Sequence, residues 1–171
     1  YAIARERMID DTIRGRDIKD SRVIKAISRV AREEFVPAEL RGRAYEDSPL
    51  PIGFDQTISQ PYVVAAMTQA AEIQRGEKVL EVGTGSGYQA AVLSRVAARV
   101  CTIERIPRLA ARARQALEAS GASNVWVRAA DGTMGWADEA PFDRILVAAG
   151  GPSVPPPLLE QAHAHASTHG Y

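Results

Sequence analysis

Lys78-Val79-Leu80-Glu81-Val82-Gly83-Thr84-Gly85-Ser86-Gly87 is the stretch that decides the fold. A short apolar run, Lys78–Val82, reads as a buried strand. It turns on three alternating glycines into a helix expected over Tyr88–Ala97. Glycine lets a ligand approach the backbone closely, and the start of a helix offers N–H groups without intrahelical partners. A plain turn needs one glycine, so three imply a nucleotide-type cofactor. The dinucleotide fingerprint G-x-G-x-x-G would require glycine at 88, where Tyr88 stands. The spacing is instead E-x-G-x-G-x-G, with Glu81 ahead of Gly83, Gly85 and Gly87.

Downstream, strand and helix patterns alternate. Strands are expected at Lys78–Val82, Arg99–Glu104, Asn124–Arg128 and Phe142–Ala149, and a second helix over Pro107–Ser120, stopped by Gly121. The strand runs are nearly continuous in Val, Ile, Leu and Ala, as when both faces of a sheet are covered. This order predicts an α/β fold with an open, mostly parallel, Rossmann-like sheet. Upstream the chain reads as helical. Met8, Ile9 and Ile13 turn inward from a helix over Ala4–Arg14. Val23, Ile24, Ile27, Val30 and Ala31 share a face of a second helix, capped by Asp20 or Ser21. A loop punctuated by Pro49, Pro51 and Gly53 follows, and a third helix starts near Pro61.

The expected organisation has three parts. Residues 1–60 form a helical region and substrate loop packed on the core, and residues 61–161 form the Rossmann-like core. Residues 162–171 form a tail resembling neither strand nor core, expected to be disordered. His163, His165 and His169 all lie in this tail. A His-x-His pair can bind metal, but without a core pattern around it no metal site is assigned.

The chain's 171 residues fit one domain with a sizeable core. Basic and acidic residues balance at 21 each, which argues weakly against nucleic acid as the main partner. The lone cysteine, Cys101, sits in an apolar strand pattern and reads as a buried structural thiol. No apolar run reaches membrane-spanning length and no signal peptide is visible, so no membrane partner and a cytoplasmic location are expected. The chain begins at Tyr1 and not at Met, which leaves open a segment removed upstream.

Several residues could carry chemistry. Glu104 ends the second strand, about 20 positions beyond the loop, where an acidic residue meets ribose hydroxyls in doubly wound folds; this suits NAD as well as S-adenosylmethionine. Asp131-Gly132 follows the third strand. It is either an ordinary turn or an adenine site in which Gly132 leaves room for the ring. Ser59, just before Pro61, is either the N-cap of the third helix or a functional hydroxyl.

Family resemblance bears on these alternatives. Glu81-x-Gly83-x-Gly85-x-Gly87 looks like the cofactor loop of S-adenosylmethionine-dependent methyltransferases. With it, Thr57-Ile58-Ser59-Gln60-Pro61, Asp131-Gly132 and Phe142-Asp143-Arg144-Ile145 fall in the order and spacing of protein-L-isoaspartate O-methyltransferases. The segments from Arg22 to Pro37 and from Tyr45 to Gly53 look like that family's leader helix and following loop, and the resemblance runs from roughly Arg5 to Gln161. It implies methyl transfer from S-adenosylmethionine, with S-adenosylhomocysteine as product, to the free carboxylate of L-isoaspartyl residues in damaged proteins and peptides. Ser59 would be the active-site serine, with Thr57 and Ile58 lining the cofactor pocket. Gly83, Gly85 and Gly87 would hold the methionine part, Glu104 the ribose, and Asp131 with Gly132 the adenine. Glu81, Thr84, Ser86 and Ser59 itself are counted with the cofactor contacts.

The resemblance also implies strands beyond Gln161 that this sequence does not supply. The C-terminal strands are therefore expected to be missing, with Phe142–Ala149 at or near an edge. A bare apolar edge would favour self-association. Three rivals stand beside this reading. A NAD-dependent oxidoreductase fails on the missing glycine at 88. A base-modifying methyltransferase fails at Ala148-Ala149-Gly150-Gly151-Pro152, which lacks the Asn/Asp-Pro-Pro-aromatic pattern. The last is a truncated form of the same family that binds cofactor but is weakly active or inactive.

Overall fold

The structure, a computed structural model, describes residues 1–148 and 153–170, with 164–170 described by backbone alone. Its centre is a five-stranded sheet. Two short strands precede it in the chain, β1 (Leu50–Gly53) and β2 (Gln56–Ile58), which pair antiparallel as a hairpin. The sheet itself comprises β3 (Lys78–Val82), β4 (Arg99–Glu104), β5 (Val125–Ala129), β6 (Phe142–Val147) and β7 (Ala162–Gly170). Its order is β5-β4-β3-β6-β7, and every pairing is parallel. The chain builds outward from β3 to β5, then returns to the other side of β3. That reversal makes a crevice at the carboxyl end of β3, where open α/β sheets bind ligands.

The helices are α1 (Ala2–Met8), α2 (Ser21–Arg29), α3 (Pro61–Ala70), α4 (Tyr88–Ser94), α5 (Pro107–Ala119) and α6 (Pro156–Gln161), with a π-helical stretch at Ile9–Arg14 continuing α1. Period-2 alternation assigns the faces of the sheet. Val79 and Val100 join the larger core with α2, α3, α4 and α5. Leu80, Val82, Cys101, Ile103 and Ile145 form the second core, closed by Leu158 of α6. In α5, Leu109, Ala110, Ala113 and Leu117 are buried, one stripe at helical spacing. Met8, Ile9 and Ile13 are buried as expected. Burying each such side chain is worth about 1.5–3 kcal/mol, which fastens the N-terminal region to the sheet through one continuous core.

The C-terminal residues differ from expectation. Residues 162–170, read as a tail without strand pattern, form β7, paired along the outer side of β6. The reason lies in β6, whose backbone N–H and C=O groups need partners that any extended segment can supply. The strand expected at or near an edge is therefore covered by a segment of its own chain. Residues 149–152, which include the Gly-Gly-Pro run after β6, and the side chains of His165 and His169 lie outside the described residues. His163 is exposed, and no metal-binding group of three His, Cys, Asp or Glu occurs among the described residues. No helix of the described residues is long and apolar enough to cross a membrane.

Candidate functional site: the glycine loop and its surroundings

Gly83, Gly85 and Gly87 all have positive φ, at 97°, 55° and 92°. These conformations cost a residue with a Cβ about 1–2 kcal/mol. The loop amides are largely used internally. Gly83 N and Thr84 N both donate to Ile103 O, at 2.9 and 3.1 Å, and Gly87 N donates to Thr84 O at 2.9 Å. Tyr88 N donates to Ser86 Oγ at 3.2 Å. What the loop offers a ligand is thus mainly the bare surface of its glycines and less the free N–H groups expected at a helix start. Gly87 has a packing reason as well, because a Cβ there would lie 3.3 Å from Ala113 Cβ and 3.4 Å from Leu117 Cγ of α5.

Glu104 straps this loop to the end of β4. Its Oε1 accepts from Gly85 N at 2.9 Å and its Oε2 from Ile106 N at 3.0 Å. Each carboxylate oxygen can accept a further bond, so the group keeps capacity for a ligand's hydroxyls. Glu81 and Thr102 are register partners on β3 and β4 and point to the same face. Thr102 Oγ1 donates to Glu81 Oε1 at 2.7 Å and lies 2.6 Å from Thr84 Oγ1. This buried polar chain is the floor of the loop. Sequence reasoning counted Glu81 and Thr84 as cofactor contacts, but their side chains are buried beneath the loop. Burial pushes the Glu81 carboxyl up to about 8; the Thr102 hydrogen bond opposes the shift and the charge of Glu104 adds to it. Glu81 is therefore mostly protonated at neutral pH. Its Oε2 has no hydrogen-bond partner among the described residues.

The hairpin lies beside the loop. Leu50, Ile52 and Ile58 are buried while Pro51 and Thr57 are exposed, the alternation of a half-buried strand pair. A Cβ on Gly85 would lie 3.7 Å from Ile52 Cδ1, and Arg112 of α5 donates to Ile52 O. Between hairpin, α5 and residues 34–37 runs a cleft of about 370 Å³ that reaches Gly85 and Ser86.

Ser59 follows β2. It is exposed, and its hydroxyl makes no hydrogen bond among the described residues. The N-cap position of α3 is Gln60, with no side-chain cap of its own. Asp47 caps the helix instead: its Oδ1 accepts from Tyr62 N at 3.2 Å and its Oδ2 lies 3.5 Å from Gln60 Nε2. The capping role open to Ser59 from sequence thus belongs to Asp47, which sequence spacing did not single out.

Asp131 is exposed and bonded locally, its Oδ1 accepting from Thr133 N at 3.0 Å and Thr133 Oγ1 at 2.8 Å. The Thr133 hydroxyl, then the Thr133 amide, hold its carboxyl below the usual range. Its Oδ2 makes no hydrogen bond among the described residues. Gly132 sits against the end of β3, where a Cβ would lie 2.4 Å from Val82 Cγ1. The glycine is required by this packing, whatever ligand lies nearby. The structure therefore gathers the glycine loop, Glu104 and Gly132 at the carboxyl end of the central strands, with the hairpin bearing Thr57 and Ile58 set against Gly85.

Known proteins resemble this chain in sequence and fold. The sequence profile of the protein-L-isoaspartate(D-aspartate) O-methyltransferase family matches residues 3–165. The chain is 58% identical over 158 residues to protein-L-isoaspartate O-methyltransferase 1 of Syntrophobacter fumaroxidans, covering 92% of this chain and 74% of that protein. It is 54% identical over 161 residues to the Geobacter metallireducens enzyme of that name, covering 94% and 74%. A solved protein-L-isoaspartate O-methyltransferase superposes with a TM-score of 0.86 at 30% identity, over 96% of this chain and 54% of that one, so the chain spans about half that structure's length. A Plasmodium falciparum structure assigned the same activity, in complex with S-adenosyl-L-homocysteine, gives 0.85 at 19% identity over 96% and 82%, a likeness of fold alone.

Proposed function

We propose, from the premise that the chain belongs to the protein-L-isoaspartate(D-aspartate) O-methyltransferase family, that it methylates the free carboxylate of L-isoaspartyl residues in damaged proteins and peptides. The observation that carries the assignment of roles is the uncommitted Ser59 hydroxyl, whose structural alternative is taken by Asp47. S-adenosylmethionine, when bound, supplies an electrophilic methyl group on its sulfonium. The residues fit such a ligand. Three glycines without side chains border the crevice, and the Glu104 carboxylate retains lone pairs at its rim.

The substrate carboxylate is ionised at neutral pH. It needs orientation and not deprotonation, and orientation can supply several kcal/mol of the barrier. Ser59 Oγ–H donates to one carboxylate oxygen, leaving a lone pair of the other aimed at the methyl group. No proton moves in the transfer, so the step needs no Ser-His or Cys-His pair. Gly83, Gly85 and Gly87 border the methionine part of the cofactor, while Thr57 and Ile58 close the pocket from the hairpin. Glu104 accepts from ribose hydroxyls, and the Asp131 carboxylate, through Oδ2, accepts from the adenine amino group beside Gly132. Glu81 and Thr84 fix the loop from below. The proposed setting is cytoplasmic, consistent with the single buried thiol of Cys101.

The test is a methyl-transfer assay on paired peptides that differ only in aspartate or isoaspartate at one position. Transfer restricted to the isoaspartyl peptide is expected. Binding of S-adenosylhomocysteine without any transfer would instead identify an inactive cofactor-binding form, and equal transfer to both peptides would refute the substrate assignment.

A further inference from the structure

At the end of α4 remote from the glycine loop lies a second concave surface, of about 320 Å³. Arg22, Lys25 and Arg29 of α2, Arg75 in the turn between α3 and β3 and Arg95 after α4 line it, together with three small apolar residues. Among the described residues, no carboxylate lines it. We propose that it binds a small, multiply charged phosphate anion of the tripolyphosphate or nucleoside polyphosphate kind.

Composition does not account for this cluster, because the chain carries equal numbers of acidic and basic residues. Segregation does. The ion pairs among the described residues draw on other cations: Arg5, Arg14, Arg16, Arg41, Arg43, Lys78, Arg99 and Arg144. Arg22 donates to two neutral carbonyls, Ile73 O at 2.8 Å and Val96 O at 3.0 Å, which hold its guanidinium in place without cancelling its charge. Two of the acidic neighbours in sequence are already engaged, while the exposed Glu72 lies outside the lining. Asp20 accepts from Arg22 N at the start of α2, and Glu77 faces Arg144 and Gln74 N.

Helix geometry places the cations. Positions 22, 25 and 29 recur at i, i+3 and i+7, one flank of α2 beside its buried Val23, Ala26 and Ile27. The negative ends of the α2 and α4 dipoles account for Arg29 and Arg95, but each is worth about half a charge. They account for neither Lys25 nor Arg75. A concave wall of one sign concentrates the field, and four of the five cations are arginines, whose forked donors match phosphate oxygens. The size favours a small anion, since the volume lies near the low end for ligand pockets, about 300–1,000 Å³. The seven residues of α4 separate this surface from the glycine loop by about 10 Å, at 1.5 Å per residue. The inference is therefore independent of the methyl-transfer reading.

The experiment is calorimetric titration with sodium tripolyphosphate in low salt, without S-adenosylmethionine. Saturable one-to-one binding is expected, weakening steeply as salt rises. Lys25→Gln with Arg75→Gln removes two exposed charges and should weaken binding roughly 10-fold, at roughly 3-fold per exposed pair. An unchanged melting temperature would verify that this variant folds, and Arg95→Gln gives a second, independent loss. A parallel titration with ATP separates the sources: equal affinity locates recognition in the phosphates, tighter binding names the nucleotide, and both support the site. No saturable binding at millimolar tripolyphosphate, or equal binding by the neutralised variants, would overturn it. So would a single-stranded oligonucleotide binding far more tightly than either anion, which would mark a nucleic-acid surface.

Discussion

Replacing Glu81 by Gln tests the floor of the glycine loop. Glu81 is fully buried, and its carboxyl is shifted from 4.5 to about 8. The folded protein therefore holds a proton that the unfolded chain has released between those values. In that window the native state binds more protons than the unfolded state, so stability falls as pH rises. The contribution is fully present below about pH 4.5, declines through neutrality, and is gone above about pH 8. One pKa unit corresponds to about 1.4 kcal/mol, so the whole shift is worth about 5 kcal/mol, of which about 3 kcal/mol has been lost by pH 7.

Glutamine keeps the shape and the oxygen that accepts from Thr102, but does not titrate. Other groups shift with pH in both proteins, so the informative quantity is the difference between them. Urea unfolding of each at intervals from pH 5 to 9 gives it. The stability of the wild type minus that of Glu81→Gln should fall by about 1.4 kcal/mol per pH unit up to about pH 8, then level off. Parallel stability curves across that range would show that Glu81 titrates normally, and would refute its assignment as a protonated element beneath the loop.

Ser59→Ala should lower turnover while leaving S-adenosylhomocysteine affinity and melting temperature nearly unchanged; unchanged turnover with a lower melting temperature would return the residue to a capping role. Asp47→Ala should do what a cap loss does, costing about 1 kcal/mol of stability by urea unfolding. Gly87→Ala should cost about 2 kcal/mol, from its φ of 92° and its crowding against α5, whereas Gly85→Val should abolish the thermal stabilisation given by S-adenosylhomocysteine. Arg5→Ala removes hydrogen bonds to Glu33 and Tyr45 and should cost about 1.5–3 kcal/mol at neutral pH. Burial alone would raise the Glu33 carboxyl, but Tyr45 and Arg5 hold it below its ordinary value, so that loss should shrink as pH falls through the acid range, which unfolding of both proteins at pH 3 and pH 7 measures.

How much of this was legible in the sequence depends on what each element's stability rests on. The strands from Lys78 to Val147 and the helix from Pro107 carry their cause in their own residues, as apolar runs or a stripe at fixed spacing, and they appear within a few residues of expectation. The hairpin carried a fainter version of the same signal. Leu50, Ile52 and Ile58 alternate inward, but Pro51, Gly53 and the tight turn at Phe54-Asp55 read as loop. β7 carried no signal, because its pairing uses backbone groups that every residue has, and the demand for it comes from β6. The site divides along the same line. The glycines announce a bare surface through their spacing alone. The roles of Ser59, Glu81 and Thr84 depend on which distant group arrives beside each: Asp47 at the start of α3, and Thr102 in register with Glu81. Register between parallel strands depends on both strands and their connection, so no motif within β3 alone could assign Glu81 to the floor of the loop. The same carboxyl in the same motif would face a ligand if its neighbours left it solvated. Its place below the glycines follows from a threonine on the next strand and the burial that surrounds both.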